Sequence, residues 1–413
     1  MRQEYDIAII GGGMVGATLA VALSKKTTLS IALIESQDIS PLSHEAPFDN
    51  RVSALTKTSE KILQHLGIWQ KLPDKRITAF TDMTVWEDKD SELNFSSADM
   101  GETSLGTIIE NTYLQHTAFS LCQECANIDV MYPMSAIALE DGDLTLDDGS
   151  IVKASLVVAA DGANSVIKEM SAIETKGWSY KQKGIVCTVS TEKSHQFTAW
   201  QRFLPQGPLA FLPLPDPKQC SIVWSVNDNN AERLLALSDQ AFGAELESHF
   251  EERLGNIISI RGRQAFPLQL RHASQYYQQG VALVGDAAHT IHPLAGQGVN
   301  IGLLDAMSLV DVIFNAKDKN QDLGHISVLQ RYQRHRRADN LLMQFSMDLF
   351  NRVFRSQILP VKWLRKTALS AVSRQRLLRN LFMQHAASRP FAQPNLINTN
   401  KASPHSDLAN NQI

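Results

Sequence analysis

Cysteine is scarce in this sequence, four in 413 residues. That is too few for a disulfide scaffold in a chain of this size, so a reducing compartment is expected. Long hydrophobic runs are missing as well. Nothing approaches the roughly 18 or more apolar residues of a membrane span. The first apolar stretch, Ile7–Ile10, is too short for the core of a signal peptide and runs straight into glycines. These absences make the cytoplasm the expected location. Grouped metal ligands are lacking too. Cys122 and Cys125 form a C-x-x-C pair, but no second cysteine pair or nearby histidine completes a zinc set, and the flanking apolar spacing is helical. His289 and His292 have no third histidine beside them, so no metal site is expected. No internal repeat is visible.

What remains is an ordinary globular composition, 44% hydrophobic and 20% charged, long enough for two or three domains and a large core. The net charge of −4 conceals an asymmetry. From Arg331 to Arg389 stand 13 Lys and Arg against only Asp339 and Asp348, leaving 26 basic and 41 acidic residues elsewhere. Apolar residues such as Leu349, Phe350, Phe354, Leu359, Trp363 and Leu364 lie among those cations. Such a segment suits an anionic lipid surface or a partner protein, or packs as helices with a solvated basic face.

Periodicity sorts the chain into alternating regimes. Tyr5–Ile10 reads as a buried parallel strand, Met14–Lys25 as a helix and Leu29–Ile34 as a second strand, a β-α-β unit. Leu55–Leu66 reads as a helix closed by Gly67. Asp147-Asp148-Gly149-Ser150 signals a hairpin, and Leu156–Ala160 a further buried strand. Gly184–Ser190, Phe197–Leu204 and Ser221–Val226 fit an antiparallel sheet. Buried-strand character returns at Val281–Val284, and a long helix follows from about Gly298. Two more helical stretches are expected, near Val328–Phe350 and Val361–His385, before an Asn-, Ser- and Pro-rich tail that reads as disordered.

Three short motifs carry chemistry. In Gly11-Gly12-Gly13-Met14-Val15-Gly16, the first glycine permits a tight turn, Gly13 lets backbone approach a pyrophosphate, and Gly16 with Ala20 lets helix and strand pack closely. Glu35 ends the next strand, where a carboxylate accepts hydrogen bonds from a ribose. Strand before, helix after and acid in place make this a dinucleotide fingerprint. Asp161-Gly162 follows a second buried strand; alone it is no more than a turn, as Asp148-Gly149 is. Gly285-Asp286 follows a third, where an aspartate at a strand's C-terminal end reaches the ligand crevice and can accept from a ribityl hydroxyl. The glycines of His292-Pro293-Leu294-Ala295-Gly296-Gln297-Gly298-Val299-Asn300 let amides converge, and the next helix points its positive end at them. A reduced flavin, negative near N1 and its C2 carbonyl, is what such an end stabilises.

In this order and spacing the motifs resemble the group A flavin monooxygenases of the p-hydroxybenzoate hydroxylase fold. The run His292–Asp305 is similar to the signature of the ubiquinone-biosynthesis hydroxylases within that group. The likeness extends to about residue 390 and includes Asp49-Asn50-Arg51-Val52-Ser53-Ala54, Glu110-Asn111-Thr112-Tyr113-Leu114-Gln115 and Asp161-Gly162-Ala163-Asn164-Ser165. Phe266-Pro267-Leu268, Arg271-His272-Ala273, Ala338-Asp339-Asn340 and Met347-Asp348-Leu349-Phe350 point to the branch acting on a demethoxyquinol ring.

The resemblance implies an α/β chain whose Rossmann-type FAD domain (1–75, 101–175 and 270–330) is interrupted by a substrate domain with a mostly antiparallel sheet (76–100 and 176–269). Basic C-terminal helices (331–390) and a tail (391–413) follow. It implies FAD contacts at Arg51 and Gln115 and at Asp161, beside Gly11, Gly13, Gly16, Glu35, Gly285, Asp286, Gly298, Val299 and Asn300. Many relatives outside the ubiquinone branch have Arg where Asn111 stands. The implied reaction uses NAD(P)H and O2, with a flavin C4a-hydroperoxide delivering its distal oxygen to a prenylated quinol or phenol. His292, Pro293, Gly296, Gln297 and Gly298 would shape the reaction face, and Phe203, Phe211, Pro213 and Trp224 would line the ring pocket. Membrane contact and association with other quinone-pathway proteins are expected uses of the basic segment; nucleic acid is not an expected partner. A sister hydroxylase acting at another ring position, a prenyl reductase and a non-catalytic scaffold are the competing readings. A flavin halogenase is disfavoured because no W-x-W-x-I-P stretch occurs.

Overall fold

The computed structural model describes residues 2–39, 42, 48–88, 91–290 and 298–355, with side chains described as far as residue 343. Chain order begins β1 (Arg2–Ile10), α1 (Met14–Lys26), β2 (Ile31–Ile34), β3 (Val52–Thr56), α2 (Lys57–His65), β4 (Ile77–Phe80), β5 (Asp82–Trp86), β6 (Glu92–Ser96) and β7 (Gly106–Glu110). Next come α3 (Asn111–Gln123), β8 (Ile128–Met131), β9 (Ala136–Glu140), β10 (Asp143–Leu146), β11 (Ile151–Ala159) and α4 (Val166–Met170). The middle holds β12 (Thr175–Thr191), β13 (Thr198–Leu204), β14 (Gly207–Pro213), β15 (Gln219–Asn227), α5 (Asp228–Ala236), α6 (Asp239–His249) and β16 (Ile257–Ala273). The last elements are β17 (Tyr277–Gln278), β18 (Val281–Leu283), β19 (His289–Thr290), α7 (Gly298–Asp318) and α8 (Ile326–Arg355).

Three sheets organise these elements. The first runs β17-β18-β11-β1-β2-β8, with β10 and β9 added beyond β11. Its core strands are parallel: Ile10 of β1 registers with Ala159 of β11, and Val157–Ala159 register in turn with Val281–Leu283 of β18. Parallel strands covered on both faces read as continuous apolar runs, and Ile7–Ile10, Ile31–Ile34 and Leu156–Ala159 are buried throughout. Helices α1 and α7 pack together against this sheet. The second sheet, β19-β16-β12-β15-β14-β13-β5-β6, is mostly antiparallel, and β5 joins β13 in parallel although their sequences lie far apart. The third is the small antiparallel β3-β7-β4 sheet.

The α/β class and interrupted plan match the expectation, with informative local differences. Leu55 and Thr56 are strand, not helix, because Val52–Thr56 pairs along β7. The helix starts only at Lys57, where the Thr56 side chain accepts the Ser59 amide. Leu156–Ala159 is the second half of one nine-residue strand that begins at Ile151. Strands β14 and β16 carry no period-2 signal: β14 is buried at every position, and β16 is mostly half-buried or exposed and punctuated by Arg261 and Arg263. The helix expected near Val328–Phe350 is α8; Val361–His385 and the tail lie outside the described residues.

Helix α7 is the one described helix long and apolar enough to cross a membrane by length and composition, yet 89% of its apolar window is buried inside the protein. It is a core helix, and polar Asn300, Asp305 and Asp311 interrupt it.

Candidate functional site

The three motifs meet at one edge of the first sheet. Gly11 follows β1, Glu35 follows β2, Asp161 lies just past β11, and Gly285-Asp286 lies just past β18. These are neighbouring strands with parallel direction, so all four ends open on the same crevice, the place where doubly wound sheets take ligands. Gly11 has φ +103°, and a Cβ there would stand 2.5 Å from the Ala160 carbonyl oxygen. A Cβ on Gly16 would come within 1.9 Å of the Gly11 oxygen. Both glycines are required by the fold itself. At Gly13, Gly162 and Gly298, by contrast, a Cβ would meet nothing within 4 Å among the described residues. Open space in front of Gly13, at the N-terminus of α1, is the cradle that a pyrophosphate would fill.

Glu35 is buried and already engaged: Oε2 accepts the Gly12 amide at 2.7 Å and Oε1 accepts the Gln37 amide at 2.8 Å. The carboxylate therefore fixes the glycine turn in addition to any ribose contact. Asp161 Oδ2 accepts the amides of Val166 and Ile167 at 2.8 and 3.3 Å, capping α4. Its Oδ1 is buried with no hydrogen-bond partner among the described residues, a vacancy suited to a donor from a ligand. Burial pushes the Asp161 carboxyl above its usual range, against the pull of Ser165 and the two amides. Asp286 is solvent-accessible yet surrounded by protein, as at the floor of a crevice. Desolvation raises its carboxyl, and His289, Arg51 and Lys168 partly offset this.

Arg51 is exposed, with its guanidinium 5.5 Å from the Phe266 ring centroid. Its loop is fastened from two sides. Glu110 Oε2 accepts the Asp49 amide at 2.7 Å, Thr112 donates to Asp49, and the Asn111 amide donates to the Arg51 carbonyl at 3.0 Å. From the second sheet, the Gly262 carbonyl accepts from Asn50. Glu110 in turn pairs with buried Arg76 at 3.2 Å, whose guanidinium stacks 4.8 Å from Phe48 and 4.7 Å from Tyr113. Burial raises the Glu110 carboxyl despite that partner. The Glu110-Asn111-Thr112 run is thus a clasp for the Arg51 loop, a role that only long-range geometry reveals. Asn111 itself accepts the Ser53 hydroxyl at 2.7 Å.

Gln115 is half-buried on α3. Val299 is buried, and the Asn300 side chain bonds β3, accepting the Thr56 amide at 3.0 Å and donating to Ala54 at 2.8 Å. Gly298 opens α7, whereas His292, Pro293, Gly296 and Gln297 lie outside the described residues.

The ring-pocket expectation needs correction. Phe211 stacks on Phe250 at 3.8 Å, and Trp224 lies 6.1 Å from Phe242 and 5.0 Å from His249. Both belong to the core under α5 and α6, and Pro213 sits opposite Cys220 of that same core. Phe203 packs with Val85, Leu93 and Phe95. The opposite face of the sheet, with Ala210, Leu212 and Val223, is the one that meets Val52, Ala54 and Ile108 of the small sheet. Register places Thr188 and Ser221 on that face, and both hydroxyls are buried without a partner among the described residues.

Beside the crevice, His272 lies 5.4 Å from Tyr276. Burial, His289 and Arg337 hold it down at about 4, below the roughly 6.5 of an unfolded chain. The unfolded state therefore takes the proton first. Stability from this group is full above about pH 6.5 and declines towards pH 4, by up to about 3 kcal/mol. Thermal unfolding between pH 7 and 4.5 is expected to show this slope, and His272→Gln is expected to flatten it; equal slopes in both proteins would refute the assignment.

Glycine-opened strand ends and a crevice carboxylate with an unpartnered oxygen suit a dinucleotide cofactor, and the comparisons with known proteins make this an FAD-dependent oxidoreductase of the aromatic monooxygenase class. Residues 4–342 match the family model described as FAD binding domain. The chain is 37% identical over 389 residues to the 3-demethoxyubiquinol 3-hydroxylase of Escherichia coli, covering 93% of this chain and 99% of that one. It is 36% identical to the ubiquinone hydroxylase UbiL of Rhodospirillum rubrum, covering 92% and 89%. The p-nitrophenol 4-monooxygenase PnpA of Pseudomonas putida shares the fold, with a TM-score of 0.75 at 16% identity over 95% of this chain and all of that one. The chain belongs to the FAD binding domain family and, within it, to the ubiquinone-biosynthesis hydroxylases.

Proposed function

We propose that this protein hydroxylates the ring of a prenylated quinol, at the demethoxyubiquinol step. The observation that carries the reading is the near full-length likeness to an enzyme of that activity, 99% of which is covered. Bound FAD supplies the redox chemistry, accepting electrons from NAD(P)H and activating dioxygen.

The chain's own residues do the remaining work. Amides of Gly11–Gly16 and the N-terminus of α1 receive the pyrophosphate. Glu35 holds the glycine turn closed and offers its carboxylate to the ribose, and Asp161 and Asp286 accept from ligand hydroxyls. Arg51, clasped by Glu110-Asn111-Thr112, lies along the cofactor, with Gln115 on the neighbouring helix. Gly298, Val299 and Asn300 present the positive end of α7 to the flavin, and the preceding His292, Pro293, Gly296 and Gln297 close the reaction face. Residues 1–75, 101–175 and 270–330 act as the flavin unit, while 76–100 and 176–269 supply the ring-binding sheet. The ring lies against the sheet face of Val186 and Val223, and water is excluded there by apolar contact. Thr188 and Ser221 are the polar groups available to orient it. Residues 331–390 seat the enzyme on the membrane that holds its substrate, through their excess of cations.

Product mass spectrometry tests this reading. Purified protein receives FAD, NADPH, isotopically labelled dioxygen and a short-chain demethoxyquinol, beside analogues open at other ring positions. One labelled oxygen on the demethoxyquinol alone is the expected result. Label on another analogue moves the protein to a sister step, and NADPH oxidised in the absence of oxygen with the prenyl chain reduced would sink the hydroxylase reading.

A further inference from the structure

Asp305 lies within α7 with no solvent exposure, and four donors converge on its carboxylate. His289 Nε2 stands 2.5 Å from Oδ2, and the Gly285 amide donates to the same oxygen at 3.3 Å. Arg336 Nε donates to Oδ1 at 2.8 Å and Asn340 Nδ2 at 3.0 Å. The other Arg336 nitrogens are committed as well, to Asp339 at 2.9 Å and to the Asn340 oxygen at 2.8 Å. Asn340 also donates to the Tyr276 hydroxyl at 3.3 Å.

The placement of these groups matters more than their number. Gly285 and His289 bracket Asp286, and Asp305 belongs to the helix that begins at Gly298. One carboxylate therefore grips Gly285 just before Asp286, His289 three residues after it, and, as part of α7, the helix that begins at Gly298. Two of its four donors come from α8, which packs against α7 and also meets β17, β13 and β14. Buried ion pairs are weak sources of stability, because an apolar set of equal volume serves as well or better. What a saturated, directional carboxylate gives is fixed position.

We propose that Arg336 and Asn340 are positioning residues for the flavin: acting through Asp305, they set the place of Asp286 and of the N-terminus of α7. The inference rests on the reading that Asp286 and this helix end hold FAD. Neither residue need touch the cofactor, so neither is a catalytic residue.

The test uses the full-length protein stripped of flavin and titrated with FAD by fluorescence quenching. Asn340→Leu removes the amide while keeping the branching and the number of heavy atoms, and Arg336→Lys keeps the charge but loses the fork. Both are expected to weaken FAD binding by at least about tenfold and to increase the peroxide released per NADPH consumed. Val310→Ala, a cavity in the same helix about 7.5 Å along its axis from Asp305 and outside the Asp305 hydrogen-bond set, serves as a stability control. It is expected to lower the unfolding temperature of the flavin-free protein while leaving FAD affinity unchanged. Asp286→Ala tests the underlying reading separately, and unchanged affinity there would remove the site assignment itself. If Asp286→Ala weakens binding while Asn340→Leu lowers only the unfolding temperature, the positioning role is overturned. Should Arg336→Lys fail to fold, Asn340→Leu decides the question alone.

Discussion

Gly13→Val is expected to strip FAD from the protein while leaving it folded. The backbone at Gly13 is already extended, with φ −69° and ψ −178°, a conformation any residue adopts. A Cβ there meets nothing within 4 Å among the described residues, and no side-chain cap is lost from α1. The helix should lose less than about 1 kcal/mol from a poorer N-cap residue. Two methyl groups would instead occupy the space in which a pyrophosphate approaches the amides. A loss of at least about 100-fold in FAD affinity, equal to about 2.7 kcal/mol, is anticipated. Gly16→Ala makes the complementary case: its Cβ would stand 1.9 Å from the Gly11 oxygen, so misfolding is expected rather than a selective loss of flavin. Absorbance of bound flavin, read beside thermal unfolding of the flavin-free protein, separates the two. A Gly13→Val protein that purifies with a full complement of FAD would disprove the cradle.

The second large effect concerns Arg76 and Glu110, each almost fully buried. Replacing Arg76 by Met leaves a carboxylate inside the protein without its counter-charge, at a cost of about 3–5 kcal/mol. The Phe48 and Tyr113 rings lose their cation as well, a smaller contribution of about 0.5–2 kcal/mol. Replacing both partners, Arg76→Met with Glu110→Leu, is expected to recover most of that stability, since no buried charge remains. It should not recover function to the same degree. Glu110 also accepts the Asp49 amide, so the double variant loses its hold on the Arg51 loop and should bind FAD more weakly than its stability suggests. Chemical denaturation of the flavin-free proteins and FAD titration give the two readouts. A double variant that regains both in parallel would show that the clasp does nothing for the cofactor.

Much of the site was legible because its parts are local. Gly11, Asp161 and Gly285-Asp286 each announce themselves as glycine or aspartate directly after a buried strand, and a strand end is where an α/β sheet places ligands. The unread part is non-local. That Glu35 fastens Gly12, that Asn300 hooks β3, and that Asp305 gathers donors from residues 285, 289, 336 and 340 are facts of contact between distant segments. The mistaken ring-pocket aromatics make the same point. Alternation along β14 and β15 tells which residues share a face, but which face meets the flavin unit is decided by Val52, Ala54 and Ile108 more than a hundred positions away for most of them. Phe211 and Trp224 were attractive as large aromatics, and they fill the core beneath α5 and α6 instead.

The order of strands in the parallel sheet also governs how the protein can be made. Strand β18 occupies an interior place, between β17 and β11, yet it is among the last to leave the ribosome. Until Val281–Leu283 emerges, the edge of β11 that will receive it is unpaired, an exposed template for wrong partners. Pairings so distant along the chain are slow to form, so that part of β11 is the last of the sheet's interior to be covered. Asp286 arrives later still. On the proposed role of Asp286 in holding FAD, cofactor capture is then a late event, one that completes maturation rather than guiding it.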